Sequence, residues 1–299
     1  MEIKQVNYFA DGSVYFYDTE IQESLKEFKP GIYKPAYEGP QQTLYAEFIT
    51  RQENHKPILT KEIKDSLKYI KAFADPKLAA VIREKGFMHK LGILTYGKPG
   101  TMKTTYMYYV GTTLIKQKKA IVVDMYNFDA AMEFIKTIRM NQDNLIVLLI
   151  DEIDVYLERF ETQLKIFLDG GESVENIITI ASTNRKDLLS EAFFRPSRFK
   201  LQMEFKGIDN IGDIEAVLKE KDTKYTQDNL KDLKGCTIDE IKAFIHDEIL
   251  NQGIPVKSTS VAIGFKSYDE DYESTKNIYE DDDDDEDNFN KFFELQLVK

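Results

Sequence analysis

Two short stretches could do chemistry in this chain: GKPGTMKTT at Gly97 to Thr105 and LIVLLIDEID at Leu145 to Asp154. The first has the spacing G-x-x-x-x-G-K-[ST], in which backbone N–H groups and a helix N-terminus surround phosphate oxygens. Gly97, Lys103 and Thr104 stand at the expected places. Lys103 would then neutralise the terminal phosphates of a nucleotide, and the Thr104 hydroxyl would bind Mg2+. The nucleotide-binding segment is taken as the whole loop, Gly97, Lys98, Pro99, Gly100, Thr101, Met102, Lys103, Thr104 and Thr105. One position departs: Met102 replaces the second glycine. A methionine is tolerable there if it keeps negative φ and points away from the phosphates, whereas positive φ would cost about 1 kcal/mol or more.

The second stretch begins with six apolar residues, Leu145 to Ile150, the pattern of a parallel strand buried on both faces. Asp151 and Glu152 fall where that strand emerges at its carboxyl end, the place where open α/β sheets bind ligands. Asp151 suits Mg2+, and Glu152 suits a general base that takes a proton from the water attacking a γ-phosphate. An acidic pair that only caps a strand exit is the bland alternative. The positioning elements are in the required order: GILTY before the loop reads as a strand and TTYMYYVGTTLIKQ after it as a helix. The fold class expected is therefore α/β, a P-loop NTPase parallel sheet flanked by helices.

A third block, IITIASTNRKDLLSEAFFRPSRF from Ile177 to Phe199, starts as another buried strand, ends it at Asn184 and presents Arg195 and Arg198 after a short helical segment. Together with the first two blocks it resembles the AAA family of ATPases. That family has T-N-R-P-x-x-L-x-x-A-L-x-R-P-G-R-F here; this chain has Lys186 for the proline and Ser197 for the glycine, and keeps both arginines. LKIFLDGG at Leu164 to Gly171 and IREKGFMHKLGILTYGKPG are also similar to family segments. The resemblance covers roughly residues 57–253. It implies that Asn184 orients the attacking water or senses the γ-phosphate, and that Arg195 and Arg198 reach a neighbouring subunit's nucleotide. A guanidinium suits that task, because its fixed donors match the charge of a transferring phosphoryl group. A surface salt bridge is the competing reading for Arg198.

The resemblance also sets the expected organisation of an α/β core over residues 57–205 and a helical lid over 206–253, and composition adds an acidic tail with an apolar tip over 254–299. Residues 1–56 are read as a small β-rich N-terminal domain. There EIKQVNYFADGSVYFYDTEI reads as a hairpin, a β-rich run, an Asp-Gly turn and a second run with Val14 and Phe16 on one face and Tyr15 and Tyr17 on the other, and prolines and glycines follow at Pro30, Gly31, Pro35, Gly39 and Pro40. KGCTIDEI at Lys234 to Ile241 is similar to a lid turn of the family, but no arginine stands where the lid would supply one. Members that thread peptides carry an aromatic, an apolar residue and a glycine between the second core strand and the acidic pair. Here only MYNFDAAMEF is present, with Tyr126 and Phe128 as substitutes. The compact spacing is more similar to members that remodel or move folded partners, such as the mitochondrial translocase of the Rieske iron–sulfur protein.

Composition limits the remaining classes. The chain has 299 residues, a net charge of −12 and 42% hydrophobic content, which fits a globular body. Twelve acidic residues and one lysine lie between Asp269 and Asp287, so the body outside that run is near neutral. The run cannot bury itself and reads as disordered, and NFNKFFELQLVK beyond it reads as a docking tip or as a segment that packs back. No apolar run approaches about 18 residues and no basic-then-apolar leader is evident, so a membrane span is not expected. The single cysteine, Cys236, fits a reducing cytoplasm, the host's if the chain is viral. The expectation is an ATP- and Mg2+-dependent homo-oligomer, a hexamer by resemblance, that remodels a protein partner. A nucleotide-gated nucleic-acid factor is the second reading, without a basic stripe to support it, and a weakly catalytic ATP-binding scaffold the third.

Overall fold

The computed structural model describes residues 5–8, 13–17, 28–40, 43–49, 57–171 and 174–253. Nine strands form one sheet: β1 (Gln5–Tyr8), β2 (Ser13–Tyr17), β3 (Gly31–Glu38), β4 (Thr43–Ile49), β5 (Lys90–Tyr96), β6 (Ile121–Asp124), β7 (Ile146–Ile150), β8 (Ile177–Thr183) and β9 (Leu201–Glu204). Their spatial order is β1-β2-β4-β3-β6-β7-β8-β5-β9. From β6 to β9 every pairing is parallel. The helices are α1 (Lys61–Phe73), α2 (Pro76–Glu84), α3 (Lys103–Lys118), α4 (Phe128–Asn141), α5 (Leu157–Asp169), α6 (Ile211–Glu220), α7 (Gln227–Asp232) and α8 (Ile238–Gly253).

β7 explains why the sheet needs helices on both faces. Ile146, Leu148 and Ile150 enter one core with α4 and α5, while Val147 and Leu149 enter the opposite core with α1 and α3. All five are fully buried, and each such side chain contributes roughly 1.5–3 kcal/mol when taken from water. This period of two is what a parallel strand covered on both sides requires.

The segment expected as a separate N-terminal domain does something else. β3 pairs with β6 in parallel, from Gly31 opposite Ile121 to Tyr33 opposite Val123, and β4, β2 and β1 continue outward as antiparallel strands. Without β3, the edge of β6 would present unpaired backbone groups. Tyr33 anchors the junction: it is fully buried, with its ring 5.1 Å from Phe48 and 5.4 Å from Phe134 of α4. The expected hairpin is present, with Tyr8 opposite Val14.

Helices α6, α7 and α8, in the span read as a helical lid, bury their own core around Ile214, Leu218, Leu230, Ile241 and Ile245. α8 starts with a reciprocal cap, in which Glu240 Oε2 accepts the Thr237 N–H at 2.6 Å and Thr237 Oγ1 accepts the Glu240 N–H at 3.3 Å. Among the described residues no helix is long and apolar enough to cross a membrane. The acidic run and apolar tip expected of the tail lie outside the described residues.

Candidate nucleotide site

β8 lies between β7 and β5, with Ile150 opposite Ala181 and Tyr96 opposite Thr183. That order brings the acidic pair after β7, Ser182 to Asn184 at the end of β8, and the phosphate loop after β5 to one edge of the sheet. One cleft there is lined by Pro99 to Thr105, Asp151, Glu152, Ser182, Asn184, and Ile238, Asp239 and Lys242 of the lid. Asp151, Glu152, Asn184, Lys103 and Thr104 are thus brought together as the sequence suggested.

The loop from Pro99 to Thr105 lines the cleft and runs into α3 at Lys103. Gly97 has φ 144°, and a Cβ there would sit 2.0 Å from the Phe205 carbonyl oxygen, so no side chain fits. Met102 takes the costlier of the two backbones open to it: its φ is 73° and its ψ 18°, a left-handed conformation immediately before Lys103. The loop needs the conformation a glycine would adopt freely, and the methionine is strained by about 1–2 kcal/mol. Its side chain offsets that strain. Sδ accepts the Ile58 N–H at 3.4 Å, and the thioether packs against the lid core. Met102→Gly therefore removes strain and a contact of similar size. ATP hydrolysis should equal or exceed the parent's and the melting temperature should stay within about 4 °C, as followed by phosphate release and thermal unfolding. A large loss of activity would assign the methionine an adapted role.

Lys103 is buried, and its Nζ donates to the carbonyls of Gly97 at 2.8 Å and Lys98 at 2.7 Å. Burial pulls its ammonium below the usual value, while the carboxylates of Asp151 and Glu152 act in the opposite sense. Thr104 Oγ1 donates to Asp151 Oδ2 at 2.9 Å. The two are hard oxygen donors side by side, the set Mg2+ takes when phosphates and water complete its shell. Ser182 Oγ donates to Asp151 Oδ1 and accepts the Glu152 N–H at 3.1 Å. Glu152 is itself left-handed, with φ 51° and ψ 56°.

The two arginines separate. Arg195 is exposed and is not among the residues lining its own chain's cleft. Arg198 is 8% exposed and committed within the chain, which follows the competing salt-bridge reading rather than the role the resemblance implied, with the guanidinium buried instead of at the surface. Its Nε donates to Asp169 Oδ1 at 2.9 Å, Nη2 to Oδ2 at 2.6 Å, and Nη1 to the Ala192 carbonyl at 2.9 Å. The hydrogen bonds from Arg198, with the charges of Lys90 and Arg195 nearby, hold the Asp169 carboxyl below its ordinary value. The L-D-G run and the second arginine of the resemblance are thus two halves of one fork. β5 accommodates this segment through Gly92, where a Cβ would lie 1.7 Å from the Arg198 carbonyl oxygen.

Sequence reasoning missed Lys242. It looked for an arginine, but α8 puts Ile238, Asp239 and Lys242 on the face that lines the cleft, at spacings of three and four. The lid also touches the loop directly, through the Asp239 N–H on the Gly100 carbonyl at 3.3 Å. Of the two expected substitutes for a threading aromatic, Phe128 is buried and stacked on Phe160 at 4.7 Å, whereas Tyr126 is 69% exposed. The Tyr156 hydroxyl holds the Tyr126 loop by donating to the carbonyls of Met125 and Tyr126.

Residues 93–206 match the model of the ATPase family associated with various cellular activities (AAA). The chain is 30% identical over 219 residues to the vesicular-fusion protein SEC18 of Saccharomyces cerevisiae, covering 62% of this chain and 28% of that protein. It is 28% identical over 182 residues to a vesicle-fusing ATPase of Dictyostelium discoideum, covering 51% and 24%. With a proteasome-activating nucleotidase of Saccharolobus solfataricus it shares 30% identity over 162 residues, 45% and 40% of the two chains. The chain thus spans about a quarter of the length of the first two relatives. The family match runs from β5 to just past β9, over the strands that build the cleft, and this part of the chain is an AAA-type ATPase domain by its match.

Proposed function

We propose that this protein binds ATP with Mg2+ in the cleft, hydrolyses it, and works in the cytoplasm as an oligomer, a ring of six copies, that remodels or moves a protein partner. The observation that carries the shared-site reading is the placement of Arg195, exposed and away from its own cleft, while the other candidate groups converge in it. On this reading a second copy supplies the guanidinium, and head-to-tail contacts of this kind give a ring where the rotation closes and an open helix where it does not.

Each residue has a separable task. The loop N–H groups and Lys103 hold the phosphates, and Thr104 and Asp151 hold the metal. Glu152 takes a proton from the water whose oxygen attacks the γ-phosphorus. The bond to the β–γ bridging oxygen breaks, and ADP leaves with the electron pair. Asn184 orients the water, and Lys242 adds positive charge from the lid. Relatives whose names refer to vesicle fusion and proteasome activation support a protein client, as does the surface of Tyr126 and the 67% exposed Val155 on the neighbouring turn.

The test is the ATPase rate per chain across protein concentrations, with mass followed by light scattering. The rate should rise as the chain assembles. A rate per chain that is constant down to the monomer would show that one copy suffices.

A further inference from the structure

We propose that Ser182 and Thr183 are positioning residues of the hydrolytic centre, clamping the acidic turn from Asp151 to Asp154 onto the end of β8 so that Glu152 and Asn184 keep a fixed relation. The inference rests on the ATP-hydrolysis reading above.

β8 ends in two adjacent hydroxyls, both essentially inaccessible at 1% and 0% exposure. Successive strand residues point to opposite faces, so the two reach the turn at separate points. Ser182 Oγ donates to Asp151 Oδ1 and accepts the Glu152 N–H at 3.1 Å. Thr183 Oγ1 donates to Asp154 Oδ1 at 2.6 Å and accepts the Arg185 N–H at 2.9 Å. Asn184 therefore follows directly on two residues tied to that turn, with the Arg185 N–H after it held on the Thr183 hydroxyl, and the Thr183 carbonyl also accepts the Gly97 N–H at 3.3 Å.

The turn needs such a clamp because Glu152 is left-handed, a conformation that a non-glycine residue leaves unless its surroundings over-determine it. Relaxation would rotate Glu152 and carry its carboxylate away from the water. The Ser182 contact on the Glu152 N–H opposes that at one end, and the Thr183 contact on Asp154 opposes it at the other. A general base acts only within hydrogen-bond reach, and a displacement of about 1 Å costs on the order of 10²-fold in rate. Neither hydroxyl has to meet ATP. Each acts through a group that does.

The test compares Ser182→Ala, Thr183→Val, Thr183→Ser and Glu152→Gln in the full chain by steady-state ATPase, binding of a fluorescent ATP analogue and thermal unfolding. Ser182→Ala and Thr183→Val should each lower kcat by about tenfold or more with analogue affinity within about threefold of the parent, and Thr183→Ser should retain most of the rate because it keeps both hydrogen bonds. Parent kcat in Ser182→Ala and Thr183→Val, with Glu152→Gln inactive, would overturn the clamp alone. Parallel losses of kcat, affinity and melting temperature would make the hydroxyls merely structural and overturn it too, as would Thr183→Ser being as slow as Thr183→Val. Glu152→Gln at the parent rate would instead remove the hydrolytic reading beneath the inference.

Discussion

Glu152→Gln will bind ATP as the parent does and hydrolyse it about 10²- to 10⁴-fold more slowly, the range a positioned general base supplies. The amide matches the carboxylate in shape, and the backbone contact from Ser182 to the Glu152 N–H does not involve the side chain. Binding is therefore spared while proton acceptance is lost. Lys103→Ala should fail one step earlier. Its ammonium is the buried cation of the loop, and without it the phosphates meet only N–H groups. The loss of a charge-assisted contact, worth about 1.5–3 kcal/mol, predicts roughly 10- to 150-fold weaker binding. Titration with a fluorescent ATP analogue separates the two variants, and single-turnover hydrolysis separates binding from chemistry. Hydrolysis by Glu152→Gln at the parent rate would remove Glu152 from the role of base.

The next largest effects distinguish two arginines that the sequence presents as equivalents. Arg195→Ala should leave the melting temperature unchanged and lower the assembled ATPase rate by about 10³- to 10⁵-fold, the worth of an arginine acting in trans on a transferring phosphoryl group. Arg198→Ala should act on stability. It would delete the fork to Asp169 and orphan the Ala192 carbonyl. Because Asp169 is 44% exposed and can be rehydrated, the cost is nearer 1–3 kcal/mol than that of a fully buried pair, a fall of about 2–10 °C in melting temperature. Mixing Arg195→Ala subunits with Lys103→Ala subunits should restore activity, since each supplies what the other lacks. Absence of rescue, with subunit exchange verified, would argue for sites complete within one chain. Equal thermal shifts in the two arginine variants would contradict the separation drawn from burial.

The core strands, the phosphate loop, the acidic pair and Asn184 were legible from residue order because each depends on local pattern. An apolar run of six has to be covered on both sides, glycines and a lysine at fixed spacing make a phosphate cradle, and acids at a strand end face the ligand edge. The helical lid was legible for the same reason, since the apolar spacing along IDEIKAFIHDEIL needs only a helix to make a buried stripe. What those patterns could not convey was which partner a side chain meets across the fold. Arg198 stays open between a trans role and a salt bridge until α5 brings Asp169 to it. Lys242 reads as a solvated lysine until the lid folds over the loop.

Chain order alone thus determined the family resemblance of the core and the residues that line most of the cleft, because these follow from short-range spacing and from the sequence of strands. Tertiary structure alone decided four things. β3 joins the sheet at β6 because an apolar edge strand, Gly31 to Tyr33, finds an unpaired edge about 90 residues away along the chain, and no local signal records that pairing. Met102 and Glu152 take left-handed backbones because the loop and the turn are held from outside, against the preference of their own residue types. Phe128 is withdrawn into the core while Tyr126, two residues earlier, stays at the surface, because α4 begins between them. Of the two arginines Arg198 is committed within the chain and Arg195 stays exposed, since α5 brings the Asp169 carboxylate into bidentate reach of Arg198 alone.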